Sequence, residues 1–137
     1  MGTLQVIRVV LDTNVLVSGL LFEGSPAKVL GLCKTGPVRL TMSRDILDEI
    51  LRVLAYPRFR LSEEEIHYLL YVEVLPFVEM VEVRPDPAVI LEDLSDDMFL
   101  HCAFAVGADH LISGDRHLLR LKSHKGIKIL TPAEFLP

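Results

Sequence analysis

The chain has 137 residues, of which 50% are hydrophobic and 24% charged. That length and apolar content suit one folded domain over residues 1–137 and exclude a disordered chain. A net charge of −5 gives no general attraction for polyanions, so any nucleic-acid contact has to come from a local basic rim. Residues 4–21 are apolar, but Arg8, Asp12 and Asn14 interrupt them, and no run is long and uncharged enough to span a bilayer. The same stretch lacks a basic leader and a cleavage pattern, so a cytoplasmic protein without membrane association is expected. Cys33 and Cys102 have no metal-ligand spacing and read as buried reduced thiols.

Strand-like and helix-like segments alternate along the chain. Residues 6–11 form an apolar first strand, and Asp12-Thr13-Asn14 follows at once. Ser25-Pro26 reads as an N-cap with proline at the first helical position, and Gly36-Pro37 ends that helix. Residues 38–42 form a second strand. Ser43 then caps a helix whose apolar positions, Ile46, Leu47, Ile50, Leu51 and Leu54, recur at helical spacing until Tyr56-Pro57 stops it. Ser62-Glu63-Glu64-Glu65 is a capping box for a helix reaching residue 74. Residues 78–83 form a third strand, and Pro85 and Pro87 break the chain after it.

Ser95 caps a further helix with the apolar face Phe99, Cys102, Ala103 and Val106, and Gly107 stops it. Leu111-Ile112 belongs to a fourth strand, Ser113-Gly114-Asp115 is a turn, and residues 116–121 form a short helix. A basic loop over residues 122–126 precedes a fifth strand at 127–130, and Thr131-Pro132-Ala133-Glu134 starts a final capped turn. This alternation predicts an α/β fold, with a mostly parallel five-stranded sheet covered by helices on both faces. Right-handed crossovers place the carboxyl ends of its parallel strands on one edge, where ligands of such sheets bind.

Acidic residues collect at that edge. Asp12 follows the first strand, Asp97 opens the helix after the third, and Asp115 follows the fourth. Asp45, Asp48 and Glu49 sit at successive angular positions on the helix after the second strand, and periodicity alone does not choose among them. Asp96 and Asp97 also favour a helix N-terminus electrostatically, and Asp115 also suits a turn or an N-cap. Gathered carboxylates repel one another unless protons or a cation neutralise them. Oxygen ligands of this kind suit Mg2+ or Mn2+, and such ions activate water and stabilise the leaving oxygen in phosphodiester hydrolysis.

These segments resemble the PIN-domain nucleases over almost the whole chain and in the right order. Residues 10–16, Val-Leu-Asp-Thr-Asn-Val-Leu, look like the family's opening motif. Residues 43–54 resemble its second motif, whose glutamate matches Glu49. Residues 93–103 are similar to the third, with Asp97 at the catalytic aspartate. Ile112-Ser113-Gly114-Asp115 matches the Thr-Gly-Asp turn with serine for threonine, and residues 129–136 resemble the usual ending. The resemblance extends to compact prokaryotic, VapC-like toxin components of toxin–antitoxin pairs.

The resemblance implies a three-layer α/β/α sandwich and a Mg2+- or Mn2+-dependent endoribonuclease, often a homodimer and inhibited by a protein antitoxin. It assigns metal binding and catalysis to Asp12, Glu49, Asp97 and Asp115. Asn14 and Ser113 are implied as hydrogen-bonding support, and Asp93 and Asp96 as accessory acids. A non-catalytic PIN-like module that binds RNA or protein is the alternative. A haloacid-dehalogenase-like phosphatase places a second acid two residues after the first, where Asn14 stands. A phospho-receiver domain needs an acid after the third strand and a lysine after the fifth, where Arg84-Pro85 and Thr131-Pro132 stand.

The five histidines form no metal-binding pattern, and His101 is the one that shares a helix face with Asp97. Arg44, Arg116 and Lys122 are candidates for phosphate contacts near the acidic edge. Phe22 is a candidate for stacking on a base. The helix around Tyr68, Leu69, Tyr71 and Val72, together with residues 15–22, is a candidate interface.

Overall fold

The computed structural model describes residues 6–83 and 94–137, excluding the side chains of 94–97. Its strands are β1 (Ile7–Leu11), β2 (Val38–Ser43), β3 (Val78–Val81), β4 (His110–Ile112), β5 (Ser123–His124) and β6 (Ile127–Leu130). They form one sheet in the order β3-β2-β1-β4-β6-β5, parallel except for β5 against β6. Among the described residues the sheet therefore has six strands rather than the expected five. The extra one lies in the basic loop, where Lys122, Lys125 and Gly126 all take positive φ and turn the chain back onto β6.

Successive residues of β1 and β4, Val9, Val10 and Leu11 and then Leu111 and Ile112, are all buried. Strands covered on both faces need such unbroken apolar runs. Each fully buried Leu or Ile contributes about 1.5–3 kcal/mol relative to an exposed one. The buried Thr41 is reconciled with this core by donating its hydroxyl to the Val9 carbonyl at 3.0 Å.

The helices are α1 (Thr13–Leu21), α2 (Ser25–Thr35), α3 (Arg44–Leu54), α4 (Glu63–Tyr68), α5 (Leu94–Val106), α6 (Arg116–Leu119) and α7 (Pro132–Phe135). Helix α1 is not announced by the sequence pattern. Its apolar run lacks an amphipathic stripe because Val15, Leu16 and Val17 are all buried. It meets α2 at 90°. Gly19 permits that crossing: a Cβ there would lie 2.9 Å from the Pro26 carbonyl oxygen.

Gly24, not Ser25, is the N-cap of α2. The helix expected over residues 62–74 is α-helical only to Tyr68 and continues as a π-helical turn over Leu69–Val74. Ser95 lies inside α5 rather than before it. The capping boxes at Ser62 and Thr131 form as expected, and Gly107 ends α5 with φ 62°. Cys33 and Cys102 are free and buried, and burial pushes their thiols up to about 12 and about 11. Among the described residues no single helix is long and apolar enough to cross a membrane.

Candidate active site

Strand order determines where the acids meet. β1 lies between β2 and β4, so the chain winds away from β1 in both directions. A crevice opens at such a switch point, beyond the carboxyl ends of the strands. Leu11 pairs with Ile112 in the parallel ladder, and the Asp12 amide donates to the Ile112 carbonyl at 3.1 Å. The next residues on the two strands, Asp12 and Ser113, are thereby set side by side.

Asp12 is the N-cap of α1 and is only 5% exposed. Its Oδ1 accepts the Val15 amide at 2.8 Å. Its Oδ2 accepts the Ser113 hydroxyl in a short hydrogen bond and the Gly114 amide at 3.3 Å. The fully buried Ser113 Oγ also accepts the Asp115 amide at 2.9 Å, so one hydroxyl ties Asp12 to the turn carrying Asp115. Asp115 caps α6, its Oδ1 accepting the His117 amide at 2.7 Å. Burial pushes the Asp12 carboxyl above its ordinary value. The Ser113 hydroxyl and the Val15 and Gly114 amides pull it back, and the Asp115 charge adds to the rise.

Glu49 reaches the same place from α3. Thr13, buried directly after Asp12, donates its hydroxyl to Glu49 Oε2 at 2.6 Å. Arg52 Nη2 lies 3.8 Å from Glu49 Oε1. Asp45 and Asp48 point elsewhere: both are exposed, and Asp48 accepts from Arg44 Nε at 3.1 Å. Tertiary packing thus selects Glu49 from the three acids that periodicity left equivalent. Thr13, which sequence reading passed over, makes the selecting contact, and its place beside Asp12 was the available signal.

Asp12, Asn14, Glu49 and Asp115 line one cavity of about 290 Å³, with Val53, Phe99 and Leu118 as apolar wall. Asp97 belongs to the first turn of α5, two residues before Phe99. The side chains of Asp96 and Asp97 lie outside the described residues, as does Asp93 altogether. Among the described residues, no group of three or more His, Cys, Asp or Glu side chains is gathered tightly enough to ligate one ion. The donors facing the cavity are nevertheless carboxylate, amide and hydroxyl oxygens, with no sulfur or imidazole. A hard divalent cation suits that donor set, and its charge would offset the cost of burying Asp12 ionised.

The other candidates are dispersed. Arg44 is engaged with Asp48. Arg116, at the start of α6, is exposed, as is Lys122 in the turn after it. Phe22 is 59% exposed but does not line the acidic cavity. Tyr68, Tyr71 and Val72 form an exposed apolar strip on α4 and its π-helical extension, while Val15, Leu16 and Val17 are buried in the core. Tyr56, read from the sequence only as a helix stop, lines the acidic cavity.

Residues 8–117 match the model of the PIN domain family. The chain belongs to the PIN-domain family, and its mixed α/β sheet and helices have the PIN-like architecture. A chain of VapBC2 from Rickettsia felis, solved bound to a DNA fragment from the promoter, is similar in structure with a TM-score of 0.61. The match covers 90% of this chain and 97% of that one at 14% sequence identity, so it speaks to the fold. A comparison with curated protein sequences found no match.

Proposed function

We propose that this protein is a divalent-metal-dependent endoribonuclease that hydrolyses RNA phosphodiester bonds as the toxin of a toxin–antitoxin pair. The observation carrying this reading is the meeting of Asp12, Glu49 and Asp115, from three separate segments, in one cavity at the switch point of a PIN-like sheet. Family membership supports nuclease chemistry at the coarse level. Likeness to a chain of a VapBC complex supports a protein antitoxin as partner.

Asp12, Glu49, Asp97 and Asp115 are the residues proposed to hold Mg2+ or Mn2+. When bound, such a cation polarises the phosphoryl oxygen and lowers the pKa of water. Asp12 is fixed from both oxygens by Val15, Ser113 and Gly114, so its carboxylate enters the reaction already oriented. The Ser113 hydroxyl keeps the Asp115 turn in register with it. The Thr13 hydroxyl and the Arg52 guanidinium hold Glu49 from its two oxygens. Asn14, exposed at the cavity mouth, is placed to hydrogen-bond a scissile phosphate or its water. Asp93 and Asp96 are accessory acids in this reading.

A homodimer is part of the same proposal, and the exposed strip of Tyr68, Tyr71 and Val72 is the surface that supports it. The test is cleavage of labelled RNA by purified protein in Mn2+, compared with Asp115→Asn. Metal-dependent cleavage lost in the variant is expected. Equal cleavage by both assigns the activity to a contaminant and leaves a non-catalytic binding module.

A further inference from the structure

Part of the wall of the acidic cavity is formed by the end of α3 and the turn that follows it. Tyr56 lines the cavity although 43% of it remains exposed. Tyr56 is neither in the hydrophobic core nor among the partly buried residues packed against it, so core packing does not account for its place beside a cluster of carboxylates. The backbone that carries the ring is fixed. The Tyr56 amide donates to the Val53 carbonyl at 3.0 Å, its carbonyl accepts the Phe59 amide at 3.0 Å, and Pro57 stiffens the turn.

One cation stands over this ring. The Arg58 guanidinium lies 5.7 Å from the Tyr56 centroid and 4.8 Å from that of Phe59. Arg52 stands one helical turn earlier, its side chain 70% exposed beside Glu49. Among the described residues no carboxylate pairs with Arg58. The chain carries a net charge of −5, so this cation–aromatic pair runs against the overall charge, with its ring in the wall of the cavity that the carboxylates line.

We infer that Tyr56 is a nucleobase-stacking subsite for single-stranded RNA, with Arg58 receiving a phosphate beside the stacked nucleotide. Aromatic rings accept any base because every base has a π-face, and flanking cations track the backbone. Paired RNA keeps its bases stacked within the helix, so the subsite selects unpaired segments. This deepens the ribonuclease reading and rests on it. Binding to RNA is its own observable, however, and does not need turnover.

The test is fluorescence anisotropy of a labelled single-stranded RNA of mixed sequence, in Ca2+ to suppress cleavage, with wild type, Tyr56→Phe, Tyr56→Leu and Tyr56→Ala. A parallel series carries 2-aminopurine at one RNA position at a time. Tyr56→Phe is expected to bind as wild type, and Tyr56→Leu and Tyr56→Ala roughly 5- to 100-fold more weakly. One 2-aminopurine position is expected to be quenched by wild type and Tyr56→Phe only. Matching thermal midpoints for the four proteins assign the loss to the ring rather than to misfolding.

Tyr56→Leu and Tyr56→Ala binding as wild type overturns the subsite, and so does an absence of RNA binding by wild type. Tyr56-dependent binding without cleavage in Mn2+ upholds the subsite and overturns the nuclease reading. Cleavage indifferent to Tyr56 does the reverse.

Discussion

The two ends of the parallel strands have opposite chemistry. At the carboxyl edge, Asp12 and Ser113 are buried polar groups and the cavity holds about 290 Å³. At the amino edge the cavity is larger, about 540 Å³, and its wall includes Asp109, His110, Lys125 and Lys128. There Lys125 and Asp109 make exposed contacts, and His110 Nδ1 is buried without a partner among the described residues. Lys125 lies 4.8 Å over the exposed Phe104 ring, and Asp109 accepts the Arg8 amide at 2.9 Å. Cavity size therefore does not track the burial of polar groups here. The smaller cavity is where polar groups are buried, cross-linked and electrostatically opposed, which is how functional sites differ from surface hollows.

The contrast is broken most severely if activity follows the wrong edge. Asp115→Asn and Glu49→Gln should each lower RNA cleavage by roughly 100-fold or more, the scale of losing one preorganised electrostatic group. Asp109→Asn should leave the rate at the wild-type level. Initial rates on one RNA substrate decide this, and equal losses at both edges would remove the distinction.

Divalent cation should also act at one edge only. Mn2+ at a hundred times its dissociation constant should stabilise the wild type by about 2.7 kcal/mol. Thermal unfolding should show this shift in wild type and in Asp109→Asn and show none in Asp12→Asn. A shift that persists in Asp12→Asn places the cation elsewhere.

Stability sharpens the comparison further. Asp12→Ala removes an N-cap and leaves the Ser113 hydroxyl and two amides without their acceptor. A loss of about 1–3 kcal/mol is expected. Asp109→Ala, whose bond is exposed, should cost about 0.5 kcal/mol or less. Urea midpoints compare the two directly.

The smallest effects are pH slopes of opposite sign. Burial raises the Asp12 carboxyl, so the folded state holds its proton more tightly than the unfolded state. Metal-free stability should therefore fall as pH rises from the ordinary carboxylate value towards the raised one. Burial lowers His110, outweighing the Asp109 charge that raises it. At that edge the unfolded state binds the proton better, and stability should fall as pH drops below 6.5. Urea midpoints across pH should show Asp12→Asn flattening the first slope and His110→Gln the second. Retention of both slopes in both variants would assign them to other groups.

Much of the carboxyl edge was legible in the sequence because strand ends are. Val9-Val10-Leu11 and Leu111-Ile112 are apolar runs that stop at polar turns, and the ladder pairing Leu11 with Ile112 makes those turns neighbours. Helix α1 was not legible, because a helix buried at Val15, Leu16 and Val17 has no polar stripe to give a period. Glu49 was legible only through family resemblance, since its choice over Asp45 and Asp48 is made by Thr13, 36 positions away. Strand β5 is two residues long and defined by its pairing to β6, which no local pattern encodes. Tyr56 was read correctly as the end of a helix, but its place beside the acids is a tertiary fact.

The central claim is that Asp12 anchors a metal-dependent phosphodiester-cleaving site. The direct measurement is cleavage of single-stranded RNA by wild type and Asp12→Asn, each in Mn2+ and in EDTA, with both proteins shown folded by circular dichroism. The account requires cleavage by wild type in Mn2+ alone, with the other three conditions at background. Cleavage by folded Asp12→Asn at the wild-type rate, or by wild type in EDTA, would contradict it.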